Sequence, residues 1–108
     1  QLSRQPVNIG TRFIFAGEIP RSNPDKRFGL IENDTGYETD YVRDDSCLIW
    51  RGSQGLVIIV GCSHSGICDI IDYAKQIAGV EKVSAVIGGL HLRSAGLPEM
   101  LRTRRYFQ

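Results

Sequence analysis

The chain reads as an α/β protein with a mixed β-sheet, and three observations predict it. Two apolar runs, residues 56–60 (LVIIV) and 83–87 (VSAVI), flank a stretch of helical period. Strand, helix and strand in that order make a βαβ unit over residues 56–87, with a right-handed crossover and two parallel strands. Residues 46–51 (SCLIWR) precede the first run, and the four turn-prone residues GSQG between them read as a hairpin. An antiparallel partner beside a parallel pair makes the sheet mixed. Finally, both histidines of the chain, His64 and His91, stand at equal distances past the ends of the two apolar runs.

Residues 1–9 are polar with one proline and are expected to form an irregular arm. Residues 11–19 (TRFIFAGEI) open with aromatic and branched side chains, which favours a strand at their start. Residues 20–45 contain SNPDK and ENDTG, both dense in turn formers, and are expected to be mostly loop with a short strand near residues 28–31. Loops of this length inside a compact domain are commonly functional. The run LVIIV is apolar throughout rather than alternating, the pattern of a strand covered on both faces. A helix should begin near Gly66, because Ile67, Ile70, Ile71, Ala74 and Ile77 fall on one helical face. Ser65 can cap its start, Asp69 and Asp72 suit its positive end, Lys75 suits the other, and Gly79 is placed to stop it. A last helix is expected within LPEMLRTRRYF, beginning at Pro98.

With 108 residues the chain allows one domain with a modest core, and 42% apolar with 23% charged residues is ordinary for a globular protein. The formal charge of +1 gives no long-range attraction, so neither nucleic acid nor a membrane surface is expected as a partner. Arg102, Arg104 and Arg105 read as a solvated tail. Cys47, Cys62 and Cys68 are an odd set without a C-x-x-C pair, so free thiols in a reducing cytoplasm are expected rather than a disulfide framework. No apolar run reaches membrane-spanning length and no signal peptide opens the chain.

His64 lies four residues past Val60, and His91 four past Ile87. The C-terminal ends of parallel strands share the edge where α/β sheets gather ligands, and neighbours lie about 4.8 Å apart. If these two strands are adjacent, both imidazoles can reach a common point. Gly61, Gly66, Gly88 and Gly89 allow tight turns there. His64 and His91 are therefore candidate metal ligands. A histidine near a strand end is also commonly a simple hydrogen-bonded polar residue, and a zinc site needs three or four protein ligands. Further ligands would come from Cys62, from Glu18, Asp44 or Asp45, or from elsewhere in a longer polypeptide. The same loop offers other chemistry. Gly61-Cys62-Ser63-His64-Ser65 approaches the G-x-S-x-G nucleophile elbow, with Ser63 as nucleophile and His91 as base. Its acid would be Asp69 or Asp72, which fall on the helix rather than on a loop. A thiol mechanism would pair Cys62 with His64. No G-K-[ST] follows the glycines, so a phosphate-binding loop is not indicated.

GLVIIVGCSHSGI followed by AVIGGLHL resembles the metallo-β-lactamase-fold superfamily, most closely the branch of dihydropterin-type ribofuranosylaminobenzene phosphate synthases and related hydrolases. GEIPR at residues 17–21 and DD-x-x-L at residues 44–48 are also similar to that branch, and the resemblance spans roughly residues 11–95. It implies an αββα sandwich with a one- or two-metal site at the sheet edges. The metal would be divalent, zinc first, with manganese, iron or magnesium as alternatives. The implied reaction is metal-assisted hydrolysis of a phosphate or carboxyl ester in a small-molecule substrate. His64 matches a metal-ligand histidine, and His91 matches a later ligand position where many members carry a bridging aspartate. The H-x-H-x-D-H motif and the closing HCTG-like motif do not occur in these residues, so residues 1–108 read as one domain forming the middle-to-C-terminal part of such a fold. Half a sandwich leaves apolar sheet surface open, so the expected partner is a second copy (a homodimer) or the complementary half of the fold. The alternative is a non-catalytic α/β module that associates with itself or a partner.

Overall fold

The computed structural model describes residues 3–108. Seven strands and two helices follow one another: β1 (Val7–Ile9), β2 (Phe13–Phe15), β3 (Gly29–Asn33), β4 (Gly36–Asp40), β5 (Cys47–Gly52), β6 (Gly55–Val60), α1 (Ile67–Ala78), β7 (Val83–Ile87) and α2 (Leu97–Tyr106). Five strands form one mixed sheet in the order β1-β2-β5-β6-β7. All neighbours in it are antiparallel except β6 and β7, which are parallel and joined through α1. The expected βαβ unit and the GSQG hairpin are both present. β3 and β4 form a separate hairpin.

Strand alternation divides the sheet into two faces. Ile14, Ile49 and Ile58 lie opposite one another across the strands and are essentially without solvent exposure. They meet Ile67, Ile70, Ile71 and Ala74 of α1, and these side chains form one core. Full burial of an isoleucine contributes about 1.5–3 kcal/mol, so this layer contact is the main source of stability. The helix has the predicted face and the predicted end. Gly79 adopts a left-handed conformation at φ 66° and its N–H bonds to the carbonyl of Lys75.

The other face is open. Across the strands, Val7, Phe15, Leu48, Ile59 and Ile87 stand in one row, and Ile9, Phe13, Trp50, Val57 and Ala85 in the next. Each of these ten residues retains solvent exposure, up to 55% at Ile87. The expectation that residues 56–60 are covered on both faces is therefore half met, since α1 covers one face while Ile59 on the other remains 38% exposed. The molecule is a slab 19 Å thick, the depth of one helix layer on one sheet.

Other expectations need correction. The arm is not wholly irregular, because residues 7–9 add an antiparallel edge strand to β2. The segment 20–45 contains a full hairpin rather than one short strand, with residues 33–36 as its turn. Ser65 does not cap α1: Gly66 holds the cap position with no side-chain bond, and the buried Ser65 hydroxyl has no partner. Arg102 is not part of a solvated tail. It lies on α2 and bonds through Nη2 to Asp69 on α1 at 2.9 Å, while Asp69 also accepts the N–H of Ser22 at 2.8 Å. The hydroxyl of Tyr106 donates to Asp72, which completes the seam between the helices. Among the described residues no helix is long and apolar enough to cross a membrane.

Cys47 and Cys68 are buried and Cys62 is exposed, all three as free thiols. Burial, reinforced by the charge of Asp45, pushes the Cys47 thiol from its ordinary 9.0 up to about 12. The folded chain thus keeps a proton that the unfolded chain releases. Stability present below about pH 9 is therefore expected to fall as the pH rises toward about 12. Urea midpoints measured between about pH 8 and pH 10.5 should decline, and the decline should be shallower in Cys47→Ala.

Candidate metal centre

The loops that carry the two histidines leave the sheet at one level because the parallel register pairs Ile59 with Ile87. Gly88 follows β7 at φ 132°, and a Cβ there would stand 2.1 Å from the carbonyl oxygen of Val60, so only glycine lets the two chains approach. The N–H of Gly89 donates to the carbonyl of Gly61 at 2.8 Å, and the buried hydroxyl of Ser63 donates to the carbonyl of Gly89 at 2.6 Å. These two bonds make one rigid unit of the loops. Within it, Ser63 and His91 occupy the left-handed region at φ 60° and 49°. Such conformations cost about 1–3 kcal/mol each outside glycine and persist only where surrounding contacts impose them.

At the tip of this unit the imidazoles of His64 and His91 meet with ring centres 4.7 Å apart and planes at 67°. Phe28 lies against both, its ring centre 4.9 Å from that of His64 and 5.6 Å from that of His91, edge to face in each case. Lys26 sits 5.6 Å over the Phe28 ring and is held by Glu99 of α2 at 3.1 Å. Phe28 was not singled out from the sequence. A lone aromatic between turn formers has no periodicity, and the only signal was the length of the segment containing it.

The other candidates are placed as follows. Asp45 approaches from the loop before β5. Its carboxylate is 6% exposed, with Oδ1 4.0 Å from Nδ1 of His64 and Oδ2 accepting the N–H of Ser65 at 2.8 Å. Cys62 is exposed and shares an open depression with Asp44, Asp45 and His64. Glu18 is turned to Arg4, 3.9 Å away. Among the described residues no three His, Cys, Asp or Glu side chains converge as a metal-holding group. The serine-nucleophile arrangement is not assembled: the Ser63 hydroxyl donates to a carbonyl, and Asp69 and Asp72 are engaged by Ser22, Arg102 and Tyr106.

The two rings are in edge-to-face contact, and two imidazoles are half of the four ligands of a usual structural zinc site.

In fold, the chain is similar to a metal-dependent hydrolase of the β-lactamase superfamily. Its backbone superposes on the crystal structure of Tm1679, a metal-dependent hydrolase of the β-lactamase superfamily, with a TM-score of 0.81 and 26% identity over 99% of this chain and 41% of that one. In sequence it is 35% identical over 108 residues to the 7,8-dihydropterin-6-methyl-4-(β-D-ribofuranosyl)-aminobenzene-5'-phosphate synthase of Methanocaldococcus jannaschii, covering 94% of this chain and 37% of that protein. An uncharacterized protein of the same organism is 30% identical over 110 residues, covering all of this chain and 40% of its own length. The chain thus spans about two fifths of the length of the relatives it matches. No family model matches it.

Ser63→Ala is expected to leave the Gly89 carbonyl without its side-chain donor and to lower stability by about 1–3 kcal/mol. Chemical denaturation measures that loss. In parallel, a fluorophosphonate probe should leave Ser63 of the natural protein unlabelled.

Proposed function

We propose that this chain supplies His64 and His91 as neighbouring ligands of a divalent-metal site in a metal-dependent hydrolase, acting on a phosphate or carboxyl ester of a small molecule. The observation that carries the reading is the imidazole pair, 4.7 Å apart on two loops bonded to each other. Similarity to a metal-dependent hydrolase over nearly the whole chain supports it.

Zinc fits imidazole donors best, with manganese, iron and magnesium as alternatives. A divalent ion supplies activation of water and withdrawal of charge from the group being cleaved. The chain's own residues do the rest. His64 and His91 would hold the ion, each through the lone pair of one ring nitrogen. The bonds from Gly89 to Gly61 and from Ser63 to Gly89 fix the spacing of the rings. Phe28 shields one side of the pair from water. Cys62, exposed beside His64, is available as a further soft donor. Two histidines fall short of the usual three protein ligands. In this reading the remaining ligands are contributed by sequence outside these residues, in keeping with the greater length of the relatives.

Metal analysis of the intact protein tests the reading. The natural protein should retain a divalent ion through desalting, and His64→Ala and His91→Ala should each weaken its affinity by at least tenfold. An unchanged metal content in both variants would remove the proposal.

The ten-residue apolar face belongs to the same reading. It is the surface expected to meet the complementary half of the sandwich, with a second copy of the chain as the other occupant. Its two unbroken cross-strand rows of exposed or half-exposed apolar residues support this, because contiguous apolar surface of that kind marks an interaction site. Ile59→Lys places a charge at its centre. It should destabilise the intact protein by roughly 2–4 kcal/mol if the face is covered, and by less than about 0.5 kcal/mol if it meets water. Thermal and urea denaturation distinguish the two outcomes.

A further inference from the structure

We infer that Asp45 is the positioning residue for His64, and that Arg21 acts through the turn at Val42 to hold it in place. The inference deepens the proposed metal site and rests on that reading for its functional consequence.

The carboxylate of Asp45 is 6% exposed and both of its oxygens are directed at the histidine loop. Oδ2 accepts the N–H of Ser65, and Oδ1 stands 4.0 Å from Nδ1 of the intervening His64. At 4.0 Å this is a charge contact rather than a hydrogen bond, and a carboxylate on that side favours a proton on Nδ1, leaving the lone pair on Nε2 for a ligand. An aspartate with one oxygen bonded to the backbone and the other facing an imidazole is a support for the histidine rather than a member of the donor set.

What aims Asp45 is a strained turn. Val42 has φ 48°, a conformation disfavoured for any side chain and most of all for a β-branched one. Four hydrogen bonds impose it. The N–H of Val42 donates to Oδ1 of Asp40 at 2.7 Å, and the N–H of Asp45 donates to the carbonyl of Val42 at 3.2 Å. The two terminal nitrogens of the Arg21 guanidinium donate to the carbonyls of Tyr41 and Val42. A planar fork that bonds two successive carbonyls fixes the turn in a way a lysine cannot. Arg21 belongs to the GEIPR segment, Asp45 to DD-x-x-L and His64 to GCSH. These three separated pieces of sequence form one mechanical train that ends at an imidazole.

The test follows His64 directly. In the metal-free intact protein, long-range 1H–15N NMR should show His64 as the Nδ1–H tautomer. Asp45→Asn keeps the shape and an oxygen for Ser65 but removes the charge, and should shift His64 toward the Nε2–H form. It should also weaken zinc binding about 10- to 100-fold, as losses of such supporting partners do. Arg21→Lys, which leaves Asp45 itself intact, should produce the same shift in smaller degree, and adding Val42→Gly should reverse it by relieving the turn. If Asp45→Asn does not fold, the Arg21 pair of variants decides alone. An unchanged His64 tautomer in Asp45→Asn, or in Arg21→Lys where that variant alone is available, overturns the inference. If the natural protein binds zinc and the tautomer stays unchanged, the metal reading stands while the positioning role falls. If the tautomer shifts but the natural protein binds no metal, the positioning role stands and the metal reading falls.

Discussion

Parallel pairing between β6 and β7 is the constraint on which the rest of this molecule depends. Two parallel neighbours cannot be joined by a tight turn, so the chain must cross over, and α1 is that crossover. One element thus does two tasks: it returns the chain to the start of β7, and it buries the inner face of the sheet with Ile67, Ile70, Ile71 and Ala74. The register of the same pair brings Val60 and Gly88 into backbone contact, and everything at the histidine loops follows from that approach. Glycine at position 88, the bond from Gly89 to Gly61 and the left-handed conformations of Ser63 and His91 are local answers to one global demand.

The two faces of the sheet answer to different partners. The inner face is closed by the chain's own helix. The outer face carries as much apolar character, yet it stays partly exposed, with Ile87 at 55% and Ile59 at 38%. This asymmetry explains why residues 56–60 read as doubly covered. The pattern of side chains reports the surroundings for which a strand is suited, and those can include layers beyond the residues in view.

Elements that cross the core were legible in the sequence, and those at its margins were not. The spacing of Ile67, Ile70, Ile71 and Ala74 announced α1, and the runs at 56–60 and 83–87 announced the parallel pair, because burial imposes periodicity. β1, β3 and β4 are exposed along most of their length, so nothing in their composition alternates, and the hairpin showed as a short strand near residues 28–31 and turn formers within ENDTG, without its second strand. The histidine pair was legible as spacing, since equal offsets past two strands survive into three dimensions when the strands are neighbours. Its surroundings were legible only in part: Asp45 stood among the candidate carboxylates, whereas Phe28 and Arg21 enter through contacts spanning 21 to 63 positions, which no local pattern records. Ser65 shows the same limit, because Asp45 took its N–H and left the expected cap unmade.

The loops at the histidine edge are bonded to each other and to Asp45, not to the open face of the sheet. The spacing of the two imidazoles is therefore set by bonds within the loops themselves. If the proposed site is completed from outside these residues, its completion need not rebuild this half of it. An ion that bridges both parts would then act as a clasp between them, joining the retention of metal to the closure of the fold.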